Sequence, residues 1–269
     1  MSGDHLVPVK ETQIELRKEI LKISAEGKYH NWAKIEVDFT FFNPGEEKTE
    51  IVGFVYSEPE GDFNGEPYLK DFSVNVNGQD IDHKNAKIDK DKLKDFQKKQ
   101  DRAFYFPVTF KKGENKILHE YQYKTSGGID VSYDIPYVLT TGTMWANGQI
   151  DDFTLIIDMG EKESYSVPEK LEKKEKVNWV VEDGKISSSF KGIYEERIYV
   201  SIGQNTKPLT FKKKDFKPSS ELSVIKFSHI GYNESAKERY FPQPEKEIKL
   251  SEDEAKFVEF IKGLERPRR

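Results

Sequence analysis

The chain has 269 residues, 35% hydrophobic and 34% charged, enough for one large domain or two small ones with a real core and a heavily charged surface. Its 43 basic and 48 acidic side chains interleave to a net charge of −5, without the basic stripe that a phosphate backbone requires, so nucleic acid is not an expected partner. Cysteine is absent, which removes disulfides, thiolate nucleophiles and Cys-ligated zinc, and no apolar run reaches the length of a transmembrane segment.

In chain order, Ile14, Leu16, Ile20 and Ile23 change phase near Arg17-Lys18-Glu19, which predicts a bulged strand over 12–23. The run Lys34–Phe42 alternates without a break. Ile35, Val37, Phe39 and Phe41 fall on one face and Glu36, Asp38 and Thr40 on the other, the signature of a strand with one face buried and one wet. Asn43-Pro44-Gly45-Glu46 suits a type II turn, with Ile51–Tyr56 as the return strand. Phe72, Val74 and Val76 run into Asn77-Gly78, whose residues accept the positive φ of a tight hairpin turn. Residues 82–102 hold Lys and Asp around Ile88, Leu93 and Phe96, which predicts a short surface helix; the interleaved aspartates cancel a basic patch.

Phe104, Phe106, Val108 and Phe110, then Lys112-Gly113-Glu114-Asn115, then Ile117, His119, Tyr121 and Tyr123 read as a second hairpin. Val131, Tyr133 and Ile135 precede Pro136, which confines that strand to an edge or ends it. Phe153, Leu155 and Ile157 form another strand. The charged stretch 160–176 reads as a surface loop. Alternation resumes at Val177, Trp179 and Val181, turns at Asp183-Gly184, returns through Ile186 to Phe190, and ends with Ile198, Val200 and Ile202. About ten strands joined by short turns predict a mainly β chain: an antiparallel β-sandwich over 12–205. A linker is expected at 206–220. The span 221–265 reads as a small tail module, in which the capping box Ser251–Glu254 and the apolar stripe Phe257, Phe260, Ile261 and Leu264 predict a C-terminal helix.

Catalytic signals are weak. None of the five histidines stands in a metal-binding spacing, and His119 reads as a cross-strand packing residue because its neighbour Glu120 points to the other face. Asp80, Asp82, Asp151 and Asp152 lack the converging pattern of a calcium loop, and neither a Gly-rich phosphate loop nor a Gly-x-Ser-x-Gly elbow occurs, so no metal or cofactor is expected. The tryptophans are better candidates, because exposed aromatics on a sandwich stack on sugar rings or hold a peptide. Trp179 alternates with valines and reads as core. Trp32 lies in a polar stretch, and Trp145 lies in the glycine-containing segment Tyr137–Ile150; with Tyr137 and Asn147 they form the expected ligand contacts.

Four stretches share an order that resembles an uncharacterised bacterial family of exported β-sandwich domains: Lys34–Pro44, Phe72–Gly78, Phe104–Tyr123, and Tyr137–Ile150 with its Thr-Gly…Trp…Gly pattern. Such domains can carry a small helical module named for a Tyr-Ala-Arg-His-Gly motif. The tail from Glu221 to Glu265 is similar in outline, with a degenerate motif at Phe227–Tyr232 that lacks the Arg and displaces the His. The resemblance implies a secreted, periplasmic or cell-surface location and brings no activity with it. The first residues show neither a charged n-region nor an apolar h-region, so a cytoplasmic protein is the alternative. The expected function is non-catalytic binding of a glycan, peptide or other envelope component. The alternatives are a carboxylate hydrolase using Asp151 or Asp152, and an assembly protein that pairs through a sheet edge.

Overall fold

The computed structural model describes residues 5–8, 13–26, 31–56, 68–87, 102–125, 127, 131–191, 195–205 and 207–227, and these are mainly β-structure. The first half carries β1 (His5–Pro8), β2 (Glu15–Glu26), β3 (Trp32–Asn43), β4 (Lys48–Tyr56), β5 (Leu69–Val76), β6 (Gln79–Asp80), β7 (Lys84–Lys87), β8 (Arg102–Phe110) and β9 (Gly113–Lys124). The second half carries β10 (Val131–Tyr137), a 3-10 turn (Thr140–Met144), β11 (Ile150–Asp158), β12 (Ser164–Pro168) and β13 (Gly184–Ile186). It closes with β14 (Phe190–Lys191), β15 (Glu196–Ile202), β16 (Leu209–Phe216) and β17 (Leu222–Phe227).

Period-two alternation builds the largest sheet, seven strands in the order β16-β11-β2-β3-β9-β5-β6. Its register aligns one buried row as Phe211, Leu155, Leu21, Val37, His119 and Val74. The next row places Phe153, Glu19, Phe39, Ile117 and Val76 side by side. The opposite face is wet: Lys22 pairs with Glu36 at 3.2 Å and Lys34 with Glu120 at 3.1 Å across the strands. The expected bulge is present, between Leu16 and Lys18. It turns Glu19 and Leu21 inward and leaves Ile20, expected in the core, half-buried. Thr40, expected in solvent, is buried.

A four-stranded sheet, β1-β4-β8-β7, packs on the β3–β9–β5 part of that face through aromatic rings. Phe72 stacks on Phe104 at 4.2 Å, Phe54 meets Tyr121 at 4.8 Å, and Phe41 meets Phe110 at 5.8 Å. A six-stranded sheet, β10-β17-β12-β15-β13 with β14 on β15, covers the β2–β11–β16 part. Tyr137 reaches Glu19 on β2, and Trp179, whose indole donates to the Pro168 carbonyl at 3.0 Å, packs on Phe211 of β16. Arg197, buried among β12, β15 and β17, donates to the Ser166 and Ser223 carbonyls at 2.9 and 2.7 Å and to both hydroxyls.

Several expectations change. Among the described residues the strands pair antiparallel except at one pair, β2 with β11, which is parallel. The β5–β6 turn is a tight hairpin as expected, with φ of 52° at Asn77 and 86° at Gly78. The other two expected hairpins are not hairpins. After β3 the chain leaves the large sheet to form β4 in the four-stranded one, and after β8 it crosses back to form β9. Turn chemistry permits either outcome; pairing energy decides, and both β3 and β8 find partners distant in sequence. Gly45 is not left-handed, so the type II turn is absent. The Asn43 side chain closes that corner instead, accepting from Gly45 N at 3.0 Å and donating to Glu46 O at 2.9 Å.

Residues 84–87, inside the expected surface helix, form β7 on the edge of the four-stranded sheet; 88–101 and the expected C-terminal helix at 251–265 lie outside the described residues. The 160–176 stretch is not wholly a loop: Tyr165 and Val167 are buried in β12. The span 206–220, expected as a linker, contains β16, where Leu209 and Phe211 alternate into the core; the tail span opens with β17.

Candidate functional site

Three of the expected ligand contacts cluster around the 3-10 turn, in the interior or engaged with backbone. Trp145 is 4% exposed, with its ring 4.3 Å from Phe41 and 6.4 Å from Phe110. Tyr137 is 3% exposed, and its hydroxyl donates to Glu19 Oε1 at 3.3 Å. Asn147 accepts from Leu16 N at 3.1 Å and donates to Leu16 O at 2.9 Å, so its carboxamide substitutes for a neighbouring peptide where the bulge breaks the ladder. This is a correction to the expected ligand surface: the segment faces inward, with Trp145 among the Phe41 and Phe110 rings, Tyr137 on Glu19, and Ala146 N donating to Ile14 O at 2.9 Å.

Trp32 sits apart from these, half-buried on β3, with Lys70 Nζ 3.8 Å from its ring centre. The ammonium already occupies one ring face. Trp179 is core, as its alternation implies.

Glu19, Tyr137 and Trp145 line a cavity of about 10 Å³, together with Phe39, Thr141 and Gly142. That volume suits about one water molecule. Burial pushes the Glu19 carboxyl up to about 8, opposed by the Tyr137 hydroxyl. His119 is also sealed, in a cage of Phe54, Phe72 and Tyr121 rings, and burial lowers it to about 3. Both groups have shifted protonation, and neither is placed to meet a substrate. Asp151 is engaged by Arg17 at 3.1 Å, Asn147 at 3.1 Å and Gln149 at 2.8 Å, while Asp152 pairs with Lys214 at 2.8 Å. Among the described residues, no three His, Asp or Glu side chains gather closely enough to share a metal ion.

An open groove of about 540 Å³ lies elsewhere, where sequence reading expected a loop and a linker. One wall is residues 172–175; the other is the end of β16 and the chain onward to Ser219. Each wall is anchored in the core, the first by Leu171 and the second by Phe216, both fully buried. Hydrogen bonds brace the walls together: Ser219 N to Leu171 O at 2.8 Å, Lys217 N to Glu172 Oε1 at 2.9 Å, and Ser220 Oγ to Lys170 O at 3.2 Å. Lys213 bridges to Glu175 and, at 3.6 Å, to Glu172, which raises its ammonium above the usual lysine range through the Glu175 hydrogen bond. Asp215, held left-handed at φ 50°, accepts from Gln149 at 3.0 Å. Sequence reasoning missed this site, although Lys173-Lys174 and Lys212-Lys213-Lys214 signalled it; the two runs meet through contacts distant in sequence, the Val180–Thr210 bridge and the Ser219–Leu171 and Lys217–Glu172 hydrogen bonds.

Two of the sheet edges are poor templates for another strand: β16 carries three lysines and is partly covered by Val180, which exchanges two backbone hydrogen bonds with Thr210, while β10 at the edge of the six-stranded sheet carries Pro136. No described helix is long and apolar enough to cross a membrane.

No family model matches the chain, and no curated protein matches it. Among solved structures it is similar to a proposed nutrient binding protein from Legionella pneumophila, with a TM-score of 0.62 and 21% identity over 96% of this chain and 81% of that one. That likeness shows the fold. An M1 zinc metallopeptidase from Deinococcus radiodurans and native yeast LTA4 hydrolase are similar at TM-scores of 0.31 and 0.33, each at 9% identity. The chain spans 43% and 29% of those two proteins, and likenesses this slight carry no argument.

Proposed function

We propose that this chain is a non-catalytic binding protein that takes a small ligand, such as a short glycan or peptide, in the groove between residues 172–175 and the end of β16. The groove itself carries the reading: its volume of about 540 Å³ falls in the range of small-molecule sites, and its walls are anchored in the core and hydrogen-bonded to each other. The groups with catalytic-looking protonation, Glu19 and His119, are sealed away from it. The nutrient-binding name of the Legionella fold relative is consistent with this reading. Residence outside the cytoplasm belongs to the same proposal and rests on the sequence resemblance.

The test is a thermal-shift and calorimetry screen of small sugars, peptides and metabolites against the full chain and a Ser219→Trp variant. The exposed Ser219 side chain lines the groove, so a tryptophan there obstructs it. Saturable binding that disappears in S219W, with an unchanged unfolding midpoint, is expected. Binding that survives the obstructed groove, or no binding at all, refutes the proposal.

A further inference from the structure

We infer that the groove selects a small polyanion, a compact molecule bearing several phosphate, sulfate or carboxylate charges, held by Lys173, Lys174 and Lys217. This rests on the groove being the ligand site and narrows what enters it. The segments 169–176 and 212–217 together hold eight lysines against four acids, in a chain whose net charge is −5. The acids are already committed. Glu169 pairs with Lys176 at 2.6 Å, Glu172 accepts from Lys217 N and faces Lys213, Glu175 pairs with Lys213, and Asp215 accepts from Gln149. Lys214 is held by Asp152. Lys173, Lys174 and the Lys217 ammonium have no carboxylate partner among the described residues, and all three line the groove.

A simpler account of surface lysines is that they keep an exposed strand edge from pairing with other chains. That account covers Lys212, Lys213 and Lys214 on β16. It does not cover Lys173 and Lys174 on the facing wall, nor Lys217 beyond the strand. Ammonium groups converging from two walls across an open cleft focus a positive field into it, and lysine binds multivalent anions as a flexible point charge.

The test is calorimetry of the full chain with tripolyphosphate, using Lys173→Glu/Lys174→Glu as the groove variant and Lys84→Glu/Lys116→Glu as a distant control of equal charge change. Tripolyphosphate is expected to bind the parent protein, to lose roughly tenfold or more in affinity in the groove variant, and to be unaffected in the control. Raising ionic strength from about 0.1 M to about 1 M, which shortens the screening length from about 10 Å to about 3 Å, is expected to weaken binding strongly. Equal binding by parent and groove variant overturns the inference, as does sedimentation with anionic phosphatidylglycerol vesicles when tripolyphosphate fails to bind. If a neutral compound binds and is lost in S219W while tripolyphosphate does not bind, the ligand-binding reading stands and the polyanion inference falls. If no binding of any compound depends on the groove, both fall.

Discussion

The Asn43 carboxamide donates to the Phe110 carbonyl at 3.0 Å, and this bond ties together two of the places where the chain passes between the seven-stranded and four-stranded sheets. Asn43 ends β3 just before the chain crosses to β4, and Phe110 ends β8 just before it crosses back to β9. Asn115 reinforces the second corner from within, accepting from Lys111 N at 2.9 Å and donating to Lys111 O at 2.7 Å and Gly113 O at 3.0 Å. The corner is thus a set of side-chain amides satisfying backbone groups that neither sheet ladder reaches.

Replacing Asn43 by Ala removes the partners of Phe110 O, Glu46 O and Gly45 N together. Because Asn43 is only 1% exposed, water does not readily replace them, and a loss of about 1–3 kcal/mol is expected. Urea unfolding monitored by circular dichroism measures it; a midpoint equal to the parent's contradicts the latch role.

Glu19 makes stability fall as pH rises. Its folded carboxyl titrates near 8, against an ordinary value of 4.5, so between these values the folded chain keeps a proton that the unfolded chain has released. Stability declines through that window by up to about 1.4 kcal/mol per pH unit. Glu19→Gln is expected to flatten the decline, read as urea midpoints at pH 6.5 and pH 8; an undiminished slope shows that other groups cause it.

His119 acts on the acid side with the opposite sign. Its folded value is near 3 and its ordinary value is 6.5, so in that window the unfolded chain binds the extra proton and stability falls as pH falls. The two slopes offset each other between about 4.5 and 6.5 and leave a plateau. His119→Phe places another ring among Phe54, Phe72 and Tyr121, and is expected to lessen the loss of stability below pH 4.5. Thermal melts at pH 4 and pH 6 would show no such gain if the acid sensitivity lies elsewhere.

Arg197 is 2% exposed and contacts Glu195 at 2.5 Å besides its serine partners; its guanidinium is lowered by burial. Arg197→Leu leaves Glu195 without that partner and the Ser166 and Ser223 carbonyls unmet, so a loss of about 3–5 kcal/mol is expected. Arg197→Lys is also expected to be destabilising, because one ammonium does not reproduce the fork that spans β12 and β17. Guanidinium denaturation of both variants decides it, and a lysine variant as stable as the parent rejects the staple.

Much of the fold is legible in the chain before any pairing is known. Alternation over Lys34–Phe42 locates β3 and its buried face, the phase change near Arg17 locates the bulge, Asn77-Gly78 locates a tight hairpin, and Pro136 marks an edge strand. The candidate groove was hardly legible. Its walls lie in stretches whose charge reads as loop and linker, and Trp145, one of the expected contacts, is core.

What the sequence determines by itself is the local period: which side chains share a strand face and where the chain must turn. What only the tertiary structure decides is which strand each face meets. The Asn43–Phe110 bond holds the end of β3 against the end of β8, where the chain passes between sheets, and the Val180–Thr210 bridge with the Ser219–Leu171 hydrogen bond brings two lysine runs, about forty residues apart, to a common cleft. Those outcomes depend on long-range pairing and burial, which act between residues distant in the chain and leave no trace in local spacing.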